Sequence, residues 1–245
     1  TIMSPLLDEN AKLLRELIGV PIDSGESLKT EMNREVGKIV GDRMEKSFEG
    51  DGPDIIILLN VPTRSVEIQV NPIFIYGRYK KLIRGIPQTK WPCGECKGRG
   101  TSIQGVCERC NGSGKQYEES VQELIDSVAI IQMDGESSTF HGAGREDIDA
   151  KMLGTGRPFV VEIKNPKRRS IDLQVLEENM NKSAFGKVEV ELEGFVNRKM
   201  VSHIKELPAS KTYEAGIKFN SGVEKDMLKR ALEMLDGAKI EQETP

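Results

Sequence analysis

Along the first fifty residues, apolar side chains recur at helical spacing. Leu6, Leu13, Leu14 and Leu17 do so within 5–19, and Met32, Val36, Ile39 and Val40 within 25–48. The pattern then changes. Ile55–Val61, Val66–Val70 and Ile73–Tyr76 are short apolar or alternating runs that predict strands. Two helices feeding three strands make a small α/β unit expected to end near Gln88. Glycine and proline then cluster over 85–115 and again over 142–158, marking a linker or knuckle and a loop. Between and beyond them, helical spacing returns at Glu118–Met133 (Val121, Leu124, Ile125, Val128), followed by a predicted strand at Phe159–Ile163 and a short helix at Ile171–Met180. Val188–Val196 alternates as a strand, Tyr213–Phe219 predicts a further strand, and Val223–Leu235 a closing amphipathic helix. Helices and strands mixed without regular βαβ alternation favour the α+β class.

The chain's 245 residues suffice for one large domain or two smaller ones with a real core. A hydrophobic share of 37% and a charged share of 30% fit a soluble globular protein. No apolar run approaches the ~18 residues of a membrane span, and no signal-peptide pattern opens the chain. The expectation is a cytoplasmic protein without a membrane partner. Thr1 as first residue suggests a trimmed start. The net charge of −4 argues weakly against nucleic acid, but it hides a gradient. From Arg78 to Lys115 nine basic residues face two acidic ones, Glu95 and Glu108. Such a cluster can neutralise several phosphates and release their counterions. Arg78, Lys80, Lys81, Arg84 and Lys90 are therefore candidate RNA contacts, with solvated loops as the plain alternative. A second short cluster, Lys164–Arg169, follows an apolar strand.

All four cysteines fall in one window, as Cys93-Gly-Glu-Cys96 and Cys107-Glu-Arg-Cys110. Two C-x-x-C pairs at this separation can place four thiolates around one tetrahedral Zn2+. Each pair opens a small repeat, Cys-x-x-Cys-x-Gly-x-Gly, in which Gly98, Gly100, Gly112 and Gly114 let backbone amides turn towards the sulfurs. Two disulfides or a redox dithiol fit poorly without secretory signals or a suitable βαβ context. A four-ligand site has no open position, so the zinc is expected to be structural and to hold a basic loop rigid between two domains.

Two further segments carry candidate chemistry: Ala143-Gly144-Arg145-Glu146-Asp147-Ile148-Asp149 and Lys211-Thr212-Tyr213-Glu214-Ala215. The first sets a carboxylate two residues after an arginine in a glycine-started turn. With its flanks, from Gly142 through Leu153-Gly154-Thr155-Gly156-Arg157-Pro158-Phe159, it resembles the tRNA pseudouridine(54/55) synthase family of archaea and eukaryotes. Asn71–Cys93, including Arg78-Tyr79-Lys80-Lys81-Leu82-Ile83-Arg84 and Gln88-Thr89-Lys90-Trp91-Pro92-Cys93, is very like the family's archaeal members.

The resemblance implies three parts: a THUMP-related RNA-binding unit over 1–90, the four-cysteine zinc knuckle over 91–116, and the first portion of a mixed-sheet synthase domain over 117–245. It implies action on tRNA, at U54 and/or U55 of the T-arm. Isomerising uridine breaks the C1′–N1 bond, rotates the uracil and rejoins it through C5. The reaction needs an ionised carboxylate beside C1′ and a base flipped out of its stack, but no organic cofactor. By motif position, Asp147 matches the family's catalytic aspartate, and Arg145 the arginine that fills the gap left by the flipped base. Tyr213, in Lys211-x-Tyr213-x-Ala215, matches the tyrosine that stacks on the target ring, with Lys211 beside it. Glu146 and Asp149 are expected to be loop-shaping or solvent-facing, and His141 to be structural or a phosphate contact. Relatives of this family begin earlier, with a further cysteine pair, and continue beyond Pro245. The continuation supplies the basic residue that pairs with the catalytic carboxylate, so a truncated or split synthase is expected. The runner-up is a non-catalytic, zinc-stabilised RNA-binding fragment. The repeat also resembles the zinc region of J-domain chaperones, but those carry four copies and a His-Pro-Asp that is absent here.

Overall fold

The computed structural model describes residues 1–21, 25–103, 105–207 and 212–239, apart from the Asp8 side chain. Pro5, whose missing N–H costs nothing in a first helical turn, opens α1 (Pro5–Leu17). Ser27 caps α2 (Leu28–Met44) by accepting the Thr30 amide at 3.1 Å. β1 (Ile55–Asn60) and β2 (Ser65–Val70) then pair antiparallel as a two-stranded sheet, Ile55 opposite Val70. These elements follow the apolar periodicity.

The next strand does not join that hairpin. β3 (Ile73–Lys81) is longer than the apolar run that predicted it and belongs to a different sheet. After the short strands β4 (Thr101–Ser102) and β5 (Gly105–Val106) come α3 (Val121–Met133), β6 (Ser137–Gly142) and β7 (Met152–Lys164). They are followed by α4 (Leu173–Ser183), β8 (Val188–Val196) and α5 (Lys199–Glu206). β3 lies between β7 and β8 in an antiparallel sheet of order β6-β7-β3-β8. Its grouping with the first α/β unit is therefore corrected. A central strand is covered on both faces, so its continuous apolar start carries no alternation to reveal where it pairs.

Side chains sort by strand phase. Ile73, Ile75 and Tyr79 of β3, with Phe159, Val161 and Ile163 of β7, pack against α3 and α4 through Val121, Ile125, Ala129, Met133, Leu176 and Met180. Phe74 and Val160 point the other way and meet Ile204 of α5. Helices thus cover the sheet on both faces, and each fully buried aliphatic side chain contributes about 1.5–3 kcal/mol. Gly77 lies at a register shift between β3 and β8, where an added Cβ would come within 2.4 Å of the Glu191 carbonyl.

Ser120 caps α3: its hydroxyl accepts the Glu123 amide at 3.2 Å and donates to the Glu123 carboxylate at 2.7 Å. One turn on, Asp126 is 6% exposed and accepts hydrogen bonds from Gln122 and Ser138. Burial pushes its carboxyl pKa up, against the opposing pull of those donors. A raised folded-state pKa means the native state holds the proton longer than the unfolded chain. Stability is therefore lost as pH rises from the ordinary carboxylate range through the folded pKa. Asp126→Asn is accordingly expected to raise the melting temperature at pH 7. The gain should shrink as pH falls towards about 4, which thermal melts across that range will check.

Residues Thr1–Leu207 and Pro208–Pro245 form two separate compact units. In the second, α6 (Lys225–Leu235) forms as its amphipathic pattern predicts. The strand expected at Tyr213–Phe219 does not: these residues have no ladder partner among the described residues, and a strand cannot exist unpaired. No helix among the described residues is long and apolar enough to cross a membrane.

Candidate active site and metal centre

The loop joining β6 to β7 (residues 143–151) carries the predicted catalytic carboxylate. Glu146 turns inwards and anchors it. The Tyr79 hydroxyl donates to both Glu146 oxygens, at 2.9 and 2.8 Å. Gln88 Nε2 donates to the Tyr79 hydroxyl at 2.9 Å, the Gly144 carbonyl at 3.0 Å and Glu146 Oε2 at 3.1 Å. Arg157 Nε lies 3.0 Å from Glu146 Oε2, as an ion pair without a hydrogen bond's alignment, while its Nη1 donates to the Ala143 carbonyl at 2.7 Å. Burial, then the Glu146 charge, pushes the Tyr79 pKa upwards, so the phenol stays a donor. Glu146 is thus loop-shaping and not solvent-facing.

The expectation that Lys81 touches RNA is corrected, because its side chain is completely buried. Nζ donates to the carbonyls of Ile86 (3.0 Å), Asp147 (2.9 Å) and Ile148 (3.1 Å). Burial lowers its pKa, against the pull of Glu146, Asp149 and Asp147. The strand phase carries the signal that places it: Lys81 falls in the odd-numbered series with Ile73, Ile75 and Tyr79, the core-facing set, whereas its neighbour Lys80 points outwards. Gln88 and Arg157, to which the sequence motifs assign no role in the site, complete the support.

The outcome is a firmly held backbone with an exposed carboxylate. Asp147 is exposed, and its carboxylate enters no ion pair among the described residues. Arg145 is also exposed, its guanidinium carbon 5.8 Å from the centre of the Trp91 ring. Trp91 in turn packs edge-on against Tyr117, ring centres 5.6 Å apart. His141 Nε2 lies 3.1 Å from Glu162 Oε2, and Asp149 is exposed. Tyr213 is 76% exposed in the second compact unit, and Lys211 lies outside the described residues. Of the other basic candidates, Arg78 donates Nε to the Thr155 carbonyl at 3.0 Å and Lys80 pairs with Glu189 at 3.2 Å. Arg84 and Lys90 are exposed.

The knuckle begins two residues after Trp91. A short ladder forms its neck: Gln116 N to the Trp91 carbonyl (2.9 Å), a bridge between Pro92 and Lys115, and Cys93 N to the Gly114 carbonyl (2.8 Å). The four sulfurs of Cys93, Cys96, Cys107 and Cys110 lie within 4.8 Å of one another. Cys93 and Cys107 Sγ are 4.0 Å apart, and Cys96 and Cys110 Sγ 3.7 Å. Disulfide sulfurs sit about 2.0 Å apart. A tetrahedral ion with bonds near 2.3 Å separates its sulfurs by about 3.8 Å. The cysteines are unbonded to one another, and the cluster fits a metal ion. Gly100 N donates to Cys96 Sγ at 3.2 Å and Gly114 N to Cys110 Sγ at 3.3 Å. The two repeats interlock so tightly that a Cβ at Gly100, where φ is +73°, would meet the Gly112 carbonyl at 2.3 Å.

Comparison with known proteins places the chain in a family. Residues 1–60 match the model described as the Pus10 THUMP domain, archaeal. The chain is 47% identical over 241 residues to the tRNA pseudouridine synthase Pus10 of Halorubrum lacusprofundi, covering 98% of the chain and 56% of that protein. It is 48% identical over 245 residues to the protein of the same name from Methanothrix thermoacetophila, covering 100% and 52%. The corresponding Methanocaldococcus jannaschii protein is 45% identical over 208 residues, covering 85% of the chain and 44% of that protein. The chain spans about half the length of the curated relatives it matches. Residues 74–245, well over half of the chain, match the model described as Pus10, C-terminal, and the chain belongs to the Pus10 family.

Proposed function

We propose that this chain carries the RNA-recognition part and the first catalytic part of a cytoplasmic tRNA pseudouridine synthase that isomerises U54 and/or U55 of the T-arm. The observation that carries the reading is the exposed Asp147 carboxylate on a loop whose backbone is pinned by Lys81 and Glu146. Preorganisation of this kind keeps a reacting group within the narrow geometry that catalysis needs. Residues 1–60 serve as the THUMP unit, 91–116 as a knuckle holding one structural Zn2+, and the β3–α5 sheet as the catalytic scaffold.

With the uridine flipped out, Asp147 acts at the ribose, either attacking C1′ or removing a proton from C2′. The C1′–N1 bond breaks and its electrons leave with the uracil. After rotation, C5 bonds to C1′, displacing the Asp147 carboxylate where it had attacked, or with Asp147 returning the proton to C2′ where it had acted as base. The C5 proton then passes to solvent and N1 is protonated. Arg145 leaves the Trp91 face to occupy the space of the flipped base. By motif position, Tyr213 and Lys211 of the Lys-x-Tyr-x-Ala segment are the candidates for binding the flipped ring, the tyrosine by stacking, an interaction that contributes about 1–3 kcal/mol. Zinc takes no part in these steps, because its four thiolates leave no open position.

The test is tritium release from C5-labelled uridine in an unmodified tRNA transcript. Release by the parent chain and none by Asp147→Asn is expected. Equal release by both would remove Asp147 from the mechanism, and none from either would leave a binding fragment.

A further inference from the structure

Nine cations lie between Arg78 and Lys115, and the fold uses up four of them. Lys81 is buried, Lys80 pairs with Glu189, Arg78 holds the Thr155 carbonyl and Lys115 pairs with Glu123 at 3.0 Å. The other five, Arg84, Lys90, Lys97, Arg99 and Arg109, are exposed and enter no ion pair among the described residues. The available positive charge has therefore moved off β3 and onto the knuckle and its approach.

We propose that Lys97, Arg99 and Arg109 make the four-cysteine knuckle a docking surface for the sugar–phosphate backbone of the RNA substrate. The inference rests on the tRNA reading and adds to it the element that grips the RNA. Three observations support it. The cations sit on a rigid frame: Lys97 has a φ of +52° in the turn after Cys96, Arg99 Nε is tied to the Cys96 carbonyl at 3.2 Å, and Arg109 lies between Cys107 and Cys110. Fixed cations lose less freedom on binding than cations on a loose loop. The frame also abuts the reacting centre, because Arg145 rests on Trp91 two residues before Cys93. Finally, the turn carrying Arg84 is joined to the same loop, Gly85 N donating to the Ile148 carbonyl at 2.9 Å. A polyanion held by the knuckle thus lies beside the loop that carries Asp147, with Arg145 on that loop and Arg84 on the turn joined to it. Glu95 and Glu108 are the acidic residues within the knuckle, and both are exposed. They leave the positive excess in place while opposing a second basic partner.

The experiment measures affinity of the full chain for an unmodified tRNA transcript across a salt series. The variants are Lys97→Gln/Arg99→Gln/Arg109→Gln and, as a control on surface charge, Lys182→Gln/Lys229→Gln, at two exposed lysines of α4 and α6. Each lost phosphate contact removes about 0.7–0.9 from the slope of log K against log[salt]. The triple variant should therefore lose about 2–3 from the slope, and on the order of 100-fold in affinity at ~0.1 M salt. The control should match the parent. Metal content and melting temperature are measured on each protein. If the triple variant has lost its metal, Lys97→Gln/Arg109→Gln, which spares the Arg99 bond to Cys96, is read instead, with an expected slope loss of roughly 1.5–2. An unchanged slope, or an equal loss in the control, overturns the proposal. So does displacement of tRNA by polyglutamate as readily as by unlabelled RNA, which would assign the surface to acidic polypeptides. A parent that binds no tRNA overturns both readings. A parent that binds tRNA but releases no tritium overturns catalysis alone, with the salt slope still deciding the knuckle.

Discussion

Glu146→Ala is expected to lower the melting temperature by on the order of 10 °C and to cost turnover even where the protein is folded. Glu146 and Arg157 are both almost wholly buried, with side chains 2% and 4% exposed. Removing one member of a buried pair leaves the other charge uncompensated, at a cost of about 3–5 kcal/mol. In a chain of this size each kcal/mol shifts the melting temperature by roughly 2–4 °C. The Tyr79 hydroxyl and Gln88 Nε2 lose an acceptor in the same step. Glu146→Gln keeps the shape and one acceptor oxygen but not the charge, so it should fall between parent and alanine. The effect on turnover separates support of the loop from general stability. At a temperature where every variant is folded, tritium release should still follow the order parent, Gln, Ala. Variants that melt low yet turn over at the parental rate when folded would show that the network stabilises the protein without positioning Asp147.

Glu146 also illustrates what the sequence made legible. The motif around it marked the loop, and cysteine spacing marked a metal knuckle, because both signals are short-range and depend on residue type. Helices α1 to α4 and α6 were likewise readable from apolar periodicity. What escaped was decided by long-range pairing. β3 meets β7 about eighty residues later and β8 more than a hundred residues later, and no local pattern encodes those partners. β6, with its serines, threonine and histidine, looks like a loop until β7 pairs with it. Lys80 and Lys81 are identical in type and adjacent in sequence, yet one faces solvent and the other holds the Asp147 carbonyl. Only the phase of the strand separates them. Conversely, Tyr213–Phe219 has the alternation of a strand and no partner among the described residues, so pattern alone over-predicted it. Helix α5 was missed because it is two turns long and presents only Ile204 fully to the core.

Stripping the metal, or making Cys107→Ser, is expected to unravel residues 93–114 while leaving the β6-β7-β3-β8 sheet intact. Among the described residues the knuckle has no apolar core of its own: its buried cluster consists of the four cysteine side chains. Its few backbone hydrogen bonds are too small a return for the entropy of ordering its glycine-rich turns, which costs about 1–2 kcal/mol per residue. In small metal-folded peptides the ion supplies roughly 10–16 kcal/mol, so folding and metal binding are one event. The large core under α3 and α4 contains no cysteine and should melt separately. Parent protein should therefore carry one metal per chain, and a strong chelator should make all four thiols alkylatable. Trypsin should then cut after Lys97, Arg99 and Arg109, with far-ultraviolet dichroism nearly unchanged. A reductant without chelator should do none of this, whereas a disulfide knuckle would show the reverse dependence. The loss should also reach the loop. Trp91 is held by the neck of the knuckle, and Arg145 rests on Trp91, so chelation should quench or shift the emission of this single tryptophan as its surroundings open. Tryptophan emission that stays fixed while the thiols become reactive would show that the knuckle and the Asp147 loop are uncoupled.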